Sequence, residues 1–303
     1  TPTSSVATSL TSSSAVANWT GGTGSYIIEY GATGFTPGTG ATAGAGGTVI
    51  TALAGATSAT ISGLSANTTY QFYVRQVCSG PAYSANTSVQ SFTTLCAPIS
   101  TFPWNEGFEG LASVSTTTFP SCWLEGTGTA WSSLNASSST YHDARTGSKY
   151  IGCYYGTSNN RVWTPGFQLT AGTSYDFSTY FVGDGYTTWV GDVIYNTSQS
   201  ATGETVLGSS FITSSTTSLT GTNYTQVLRT FVPPSTGTYY FGIRVTSSTP
   251  PYDYLSFDDF KLDLTPACAG AVGGTAVASA SCVSAYNGTV TITASGFSAG
   301  PGS

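Results

Sequence analysis

Short runs of alternating apolar and polar residues, separated by clusters of Gly, Pro and Ser, recur along most of this chain. Ala15–Thr20, Tyr70–Val77 and Thr238–Val245 are examples, and they are rich in aromatic and β-branched residues. A period of two places successive side chains on opposite faces of a strand. The helix formers Glu, Lys and Met are scarce. The pattern therefore predicts an all-β protein.

The chain is poor in charge, and its charge is concentrated in the centre. Only 7% of the 303 residues are charged, although 39% are hydrophobic, which is enough for folded cores. Residues 1–97 contain only Glu29 and Arg75, whereas residues 98–265 contain 12 acidic and 6 basic residues. So few basic residues exclude the phosphate neutralisation on which nucleic-acid binding depends. The sequence also lacks a run of 18 apolar residues, so we expect no membrane insertion.

Two pairs of acidic residues lie far apart in the sequence. Glu106 and Glu109 belong to FPWNEGFEG, the predicted first strand of the central domain, and Asp258 and Asp259 belong to YLSFDDFKL, its predicted last strand. First and last strands of a β-sandwich often lie side by side, which would bring up to four carboxylates together. Such a cluster either binds a hard cation, for which we expect calcium, or raises its own pKa values. The alternative is that two of the four simply face water.

Residues 1–97 contain the marks of a known module. Trp19 lies in the second predicted strand, Leu64 precedes Tyr70 by six residues, and the segment closes with SFTT. This segment resembles a fibronectin type III domain, of the kind found in large surface proteins of Bacteroidota-type bacteria. The resemblance implies a seven-stranded sandwich that acts as a spacer.

Residues 98–265 contain GFE, CW, ARTGSKYIGC, VWTPGFQL, TGTYYFGIRV and SFDDFKL in that order. This order resembles the MAM-like jelly rolls of bacterial cleaved-adhesin domains, and also jelly-roll carbohydrate-binding modules. The resemblance implies a structural calcium ion held by Glu109, a carbonyl of the Gly147–Lys149 turn, and Asp258 or Asp259. Asp143 would supply another oxygen or pair with Arg145 instead. The candidate metal set is therefore Glu106, Glu109, Asp143, Lys149, Asp258 and Asp259.

Six cysteines, with neither C-x-x-C spacing nor clustered His, indicate disulfides formed in an oxidising compartment rather than a zinc site. Many connectivities are open to six cysteines, so the pairing has to follow from the domains. The fibronectin-like setting implies that Cys78 pairs with Cys96. The remaining expected pairs lie within the central domain and within the tail, and they are Cys122 with Cys153 and Cys268 with Cys282. The alternative for Cys122 and Cys153 is that both are buried free thiols.

The aromatic residues around YFVGDGYTTW form a candidate ligand surface. Exposed rings can stack on sugar faces, and the candidate residues are Tyr154, Tyr155, Tyr186 and Trp189. The alternative is that these rings belong to the core, as aromatic residues on strands commonly do.

The tail, residues 266–303, is too short for a sandwich of its own. It resembles the truncated start of an Ig-like or PKD-like repeat; the alternative is that it pairs with an adjacent subunit by strand addition. His142 is the only histidine, and the sequence has neither HExxH nor GxSxG, so we expect no enzyme. Paired carboxylates leave glycoside hydrolysis as an alternative.

These observations predict a non-catalytic segment of a large, modular, extracellular surface protein, with a fibronectin type III sandwich, a calcium-stabilised jelly roll and the start of a further β-domain. The expected partners are a host or surface protein or a glycan, or other copies of the chain. The alternatives are a carbohydrate-binding accessory module of a secreted hydrolase and a subunit of an extracellular filament. The family resemblance implies secretion by a type IX system.

Overall fold

The computed structural model describes residues 2–3, 5–79, 82–126, 130–135, 143–154, 159–183, 188–213, 223–247 and 254–266, without the side chains of residues 246 and 247. Within these residues the chain forms 19 β-strands and no helix, which confirms the predicted all-β fold. None of the described residues therefore belongs to a helix that could cross a membrane.

The first sandwich has seven antiparallel strands, which are β1 Ser5–Thr8, β2 Ser14–Trp19, β3 Tyr26–Ala32, β4 Gly47–Ala52, β5 Ser58–Ser62, β6 Thr69–Gln76 and β7 Gln90–Thr93. One sheet has the order β1-β2-β5, and the other has the order β4-β3-β6-β7. Trp19, in the second strand as predicted, is 4% exposed and packs in the core with Ile28 and Phe72. The Tyr70 hydroxyl accepts a 3.0 Å hydrogen bond from the Ser65 N–H, as a tyrosine corner requires.

A buried ion pair organises the long loop between β3 and β4. Glu29 and Arg75 are fully buried, and 2.6 Å separates Glu29 Oε2 from Arg75 Nη1. Main-chain groups of the loop bind both side chains, and Arg75 Nη1 also donates to Asn86 Oδ1 at 3.3 Å. The Glu29 carboxylate accepts hydrogen bonds from the N–H groups of Gly38 and Gly44, and Arg75 donates to the carbonyls of Gly40 and Thr42.

The second sandwich contains the remaining strands, which are β8 Trp104–Glu106, β9 Leu124–Glu125, β10 Trp131–Asn135, β11 Lys149–Tyr154, β12 Asn160–Leu169, β13 Tyr175–Gly183, β14 Val190–Asn196, β15 Thr205–Val206, β16 Phe211–Ile212, β17 Thr225–Phe231, β18 Gly237–Ser247 and β19 Tyr254–Leu264. One sheet, called here the β19 sheet, has the order β10-β11-β19-β13-β17, and β8 also pairs with β19. The other, the β18 sheet, has the order β15-β14-β18-β12-β9, and β16 pairs with β14.

The first and last strands of the second sandwich lie side by side, as predicted. Glu106 is opposite Phe260, and Trp104 is opposite Leu262. A dense aromatic core lies between the two sheets, where the rings of Phe177 and Phe241 stack with centroids 4.9 Å apart. This pairing brings both acidic segments to the β19 sheet.

The junction between the sandwiches is cross-linked, and the observed disulfide differs from the predicted pairs. Cys96 is bonded to Cys122, so the expected bridges from Cys96 to Cys78 and from Cys122 to Cys153 are both wrong. Cys78 is an exposed thiol, and Cys153 is a thiol buried in the core on β11. The bridge crosses the domain boundary, which a pairing made domain by domain could not find. Cys268 and Cys282 lie outside the described residues.

The linker after Cys96 is part of the second sandwich. Ile99 forms a parallel bridge with Phe167 of β12, donating to the Gly166 carbonyl at 2.8 Å and accepting from the Gln168 N–H at 2.8 Å. On the side of the first sandwich, Asn67 Nδ2 donates to Ser121 Oγ at 2.6 Å. The disulfide, the bridge and this hydrogen bond hold the two sandwiches together at one junction.

Candidate functional site

An irregularity in β19 creates the candidate site. Leu255 and Phe257 face the core, and so do Phe260 and Leu262, although regular alternation from Phe257 would place Asp259 inward instead. The register with β13 shifts at this point, so two residues of β19 occupy the space of one. Such a bulge re-aims side chains. Here it keeps the Asp259 side chain out of the core.

Asp258 is fully buried and is held by main-chain donors. Its Oδ2 accepts hydrogen bonds from the N–H groups of Arg145 at 2.8 Å and Thr146 at 3.1 Å, and its Oδ1 accepts one from the Asp259 N–H at 2.8 Å. Burial and the charge of Asp259 raise the pKa of Asp258 to about 7, against the opposing effect of these hydrogen bonds. Asp258 is therefore a structural carboxyl that ties β19 to the segment before β11.

Asp259 has a cationic partner and an unusual backbone. Its carboxylate forms an ion pair with Arg145 and accepts a 2.6 Å hydrogen bond from Thr146 Oγ1. Its φ of 51° lies in the left-handed region, which Asp tolerates better than most residues. The Arg145 guanidinium carbon also lies 3.4 Å from the centre of the Tyr180 ring. Asp259, Arg145 and Tyr180 thus form a fixed polar wall.

A cavity of about 270 Å³ opens beside this wall, on the outer face of the β19 sheet. In β13 and β17, Phe177, Phe181 and Val227 pack in the core. The residues that alternate with them therefore face outward, toward the cavity. The cavity is lined by Asn105, Glu106, Gly107, Arg145, Thr146, Ser178, Tyr180, Gln226, Asp259, Phe260 and Lys261. We refer to it as the β19 pocket.

Two lining residues retain hydrogen-bonding capacity. The Gln226 amide nitrogen is buried and has no hydrogen-bond partner in the part of the chain that the structure describes. Glu106 Oε1 accepts a 2.6 Å hydrogen bond from the Phe108 N–H, and burial raises the pKa of Glu106 despite this bond. An unsatisfied buried donor costs about 1–3 kcal/mol, which a ligand oxygen would recover.

The predicted metal residues do not converge on one point. Among the described residues, no group of three or more His, Cys, Asp or Glu side chains could hold a metal ion. Glu106, Asp258 and Asp259 belong to the surroundings of the β19 pocket, while Glu109 binds the turn that precedes β11. Asp143 is exposed, and its carbonyl accepts a 3.0 Å hydrogen bond from the Tyr224 hydroxyl. Calcium binding therefore remains a prediction.

Glu109 and Lys149 contact each other's segments instead of a shared ion. Glu109 Oε1 accepts hydrogen bonds from the N–H groups of Ser148 at 2.7 Å and Lys149 at 2.6 Å. Burial alone would raise the pKa of Glu109, but hydrogen bonds from Ser148 and Lys149 and the charge of Lys149 lower it. The carboxylate is thus satisfied by protein donors.

The predicted aromatic surface is only partly observable. Trp189 is 1% exposed and belongs to the core cluster, so its prediction as a ligand-binding residue is wrong. Its indole is buried because the residue leads into β14, which packs against the other sheet. Tyr154 is partly exposed at the end of β11, whereas Tyr155, Tyr186 and His142 lie outside the described residues.

Sequence reasoning missed Tyr180, Gln226 and Ser178 as pocket residues. Ser178 and Tyr180 alternate with core residues of β13, and this period of two already predicts that they share the outer face. The sequence signal for the bulge is the three-residue spacing between Phe257 and Phe260 in a strand that otherwise alternates. What no sequence pattern showed was that β8, β13, β17 and β19 meet at one cavity.

A second charged cluster lies on the β18 sheet and satisfies itself. Glu204 accepts hydrogen bonds from Arg161 Nη2 and Arg244 Nη1, both at 2.7 Å, and Arg244 Nη2 lies 2.6 Å from Asp192 Oδ2. Both arginines are thus neutralised by acids on the same face. The cluster stabilises this sheet and leaves no unmatched charge for a ligand.

No protein-family model and no curated protein matches this sequence. Among solved structures, the K2 cleaved adhesin domain of Lys-gingipain is 19% identical, has a TM-score of 0.39, and covers 54% of this chain and 99% of that chain. The CBM22-1 xylan-binding domain from Paenibacillus barcinonensis Xyn10C is 11% identical and has a TM-score of 0.37. The match covers 57% of this chain and 100% of that domain. An FN3 domain of human collagen XX is 25% identical and has a TM-score of 0.24. The match covers 31% of this chain and 88% of that domain. All these TM-scores are below 0.5, so the description of both sandwiches rests on their strand pairing.

Proposed function

We propose that this chain is a non-catalytic binding segment of an extracellular surface protein. In this proposal the first sandwich is a fibronectin type III-like spacer, and the second is a MAM-like jelly roll whose β19 pocket binds a neutral saccharide unit of a glycan. The observation that carries the proposal is the pocket itself, with the Gln226 amide nitrogen in its wall, for which no described residue is a hydrogen-bond partner. The Cys96–Cys122 disulfide supports the extracellular setting, because disulfides persist in oxidising compartments.

The charge of the pocket favours a neutral ligand. Its lining contains two basic residues, Arg145 and Lys261, and two acidic residues, Glu106 and Asp259. Arg145 is already paired with Asp259, and Lys261 is paired with Asp263 at 2.9 Å. A charged ligand would have to compete with these pairs, whereas an uncharged one does not.

The polar groups of the pocket favour a ligand rich in hydroxyls. Gln226 offers an amide donor, and the soft terminal torsion of Gln lets that amide turn toward a bound oxygen. Ser178 and Tyr180 bring hydroxyl groups, and Glu106 brings an acceptor. The volume of about 270 Å³ is near the lower limit of about 300 Å³ for small-molecule pockets. A single sugar ring of a longer glycan meets these requirements.

The two acids of the pocket do not form a good catalytic pair. Glycoside hydrolysis requires two carboxyl groups that can each exchange a proton or attack the sugar. Asp259 is engaged by Arg145 and by Thr146, whereas Glu106 is the lining acid that has no cationic partner among the described residues. We therefore propose binding without turnover.

A glycan microarray probed with the labelled chain tests this function. Wild type should bind a defined subset of neutral glycans. Gln226→Leu removes the amide at similar volume and should weaken that binding by roughly five- to tenfold, the effect of one lost hydrogen bond. Gln168→Leu makes the same change at an exposed position of β12 and should bind as wild type does.

Four outcomes would contradict the proposal. Binding of anionic glycans alone would show that the pocket selects charge. Equal loss in the Gln168 and Gln226 variants would place the binding surface elsewhere. Release of sugar from a bound glycan would indicate catalysis, and no binding to any glycan would favour adhesion to a protein.

A further inference from the structure

The segment after β8 and the turn before β11 hold each other through two reciprocal contacts. In one direction, the Glu109 carboxylate binds the turn: Oε1 accepts the N–H groups of Ser148 and Lys149, and Oε2 accepts Ser148 Oγ at 3.0 Å. In the other, Lys149 Nζ binds the segment, donating to the carbonyls of Glu109 at 3.0 Å and Leu111 at 2.5 Å. Each side chain thus binds the main chain of the other's segment.

The turn is shaped to fit this contact. Gly147 has a φ of 65°, and a Cβ atom at this position would lie 2.5 Å from the Glu109 carboxyl carbon. The Glu109 carboxylate therefore occupies the space that any other residue at position 147 would need. The fit is specific to the carboxylate and leaves it in direct contact with the turn.

Calcium does not fit this donor set. The ion requires six to eight oxygen ligands at 2.3–2.6 Å or so. Here the carbonyls of Glu109 and Leu111 already accept hydrogen bonds from the Lys149 ammonium, and both oxygens of Glu109 accept protein donors. The oxygens of Asp258 are likewise taken, by the N–H groups of Arg145, Thr146 and Asp259. An ion would have to displace a covalently attached cation to enter.

We propose that the Lys149 ammonium is the resident cation of this junction, and that the second sandwich is held together there without calcium. The ammonium satisfies the carbonyls of residues 109 and 111, as a metal ion would, and it cannot be removed by a chelator. This inference is independent of saccharide binding, because neither Glu109 nor Lys149 lines the β19 pocket.

Thermal denaturation of the whole chain tests the proposal. Wild type should melt at the same temperature with excess calcium and with EGTA, and the purified protein should contain no stoichiometric calcium by elemental analysis. Lys149→Met keeps an unbranched apolar stem but removes the ammonium group. It should lower the melting temperature by roughly 5 °C, because two hydrogen bonds from a charged group are lost. Lys261→Met removes the only other lysine charge, at the surface, and should change the melting temperature little.

Calcium would overturn the proposal if it raised the wild-type melting temperature by several degrees and if Glu109→Gln abolished that rise. The proposal also fails if Lys149→Met melts as wild type does. If Lys149→Met does not fold, the comparison of wild type with calcium and with EGTA decides alone, since it requires no substitution.

Discussion

Glu29 and Arg75 are buried side by side although every other residue of 1–97 is uncharged. Moving two charges out of water is costly, and the cost is offset by their mutual attraction and by the hydrogen bonds from the β3–β4 loop. The isolation of these two residues in the sequence was a signal that they are partners. The pair holds the shape of a loop that has little apolar surface of its own.

Loss of one partner should therefore be costly. Arg75→Met leaves the Glu29 carboxylate buried without its cation, and it should reduce the free energy of unfolding by about 3–5 kcal/mol. Urea denaturation of the whole chain measures this. Lys261→Met breaks an exposed pair and should cost less than about 1 kcal/mol. Equal, small losses in both variants would show that the buried pair contributes nothing.

Glu204 makes the β18 sheet sensitive to acid. Burial raises the pKa of Glu204, but hydrogen bonds from Arg161 and Arg244 and their charges outweigh burial and lower it. Because the folded pKa lies below the unfolded value of about 4.3, this stabilisation is present above that value and is lost as the pH falls through the folded pKa.

Glu204→Gln should remove this part of the acid response. The urea midpoint of the variant should lie below that of wild type at about pH 6, and the difference should shrink as the pH falls through the folded pKa of Glu204 and its carboxylate is neutralised. Urea titrations at several pH values measure it. A constant difference across this range would mean that the charge of Glu204 has no role.

At the scale of the elements, most strands were predictable because they alternate. The alternating runs Tyr70–Val77 and Thr238–Val245 correspond to β6 and β18 within two residues. The pairing of β8 with β19 was predicted from the topology of sandwiches. The bulge at Asp258 and Asp259 was missed: the spacing from Phe257 to Phe260 signals a break in alternation, but the register shift that defines a bulge also depends on the neighbouring strand.

The turn before β11 gives a prediction with a built-in control. Gly147 and Gly172 both have positive φ, but a Cβ at Gly172 would contact nothing within 4 Å. Gly172→Ala should lower the free energy of unfolding by about 1–2 kcal/mol, which is the strain of a left-handed backbone at a residue with a Cβ atom. Gly147→Ala should cost about 1–3 kcal/mol more, because the new methyl group displaces Glu109 from the turn. Equal costs in urea denaturation would contradict the described contact.

At the scale of the whole molecule, the Cys96–Cys122 bridge links the two sandwiches across 26 residues of sequence. The prediction of the pairing failed because each cysteine was assigned to one domain, whereas the bond crosses the boundary. The linker residue Ile99 pairs with β12 in the same place, so the junction is structured on both sides. Saccharide contacts in the β19 pocket would therefore be presented from a firmly attached spacer.

The disulfide should contribute substantially to stability. Replacing Cys96 and Cys122 by Ser should lower the free energy of unfolding by about 3–4 kcal/mol in the chain-entropy model. Peptide mapping without reduction should link these two cysteines.

Burial and the charge of Glu125 raise the pKa of the Cys153 thiol, so it should react with iodoacetamide only after unfolding. A peptide linking Cys122 to Cys153 would contradict the described junction.

The central claim, that the β19 pocket binds a neutral sugar ring, is tested most directly by NMR on the side-chain amide of Gln226. The wild-type chain, labelled with ¹⁵N, would be titrated with glucose, galactose, mannose and xylose, and the amide signal assigned from the Gln226→Leu spectrum. We expect at least one sugar to shift this signal with a Kd of about 1 mM, while the signal of Gln168 stays in place. Shifts confined to other residues, or none with any of the four sugars, would contradict it.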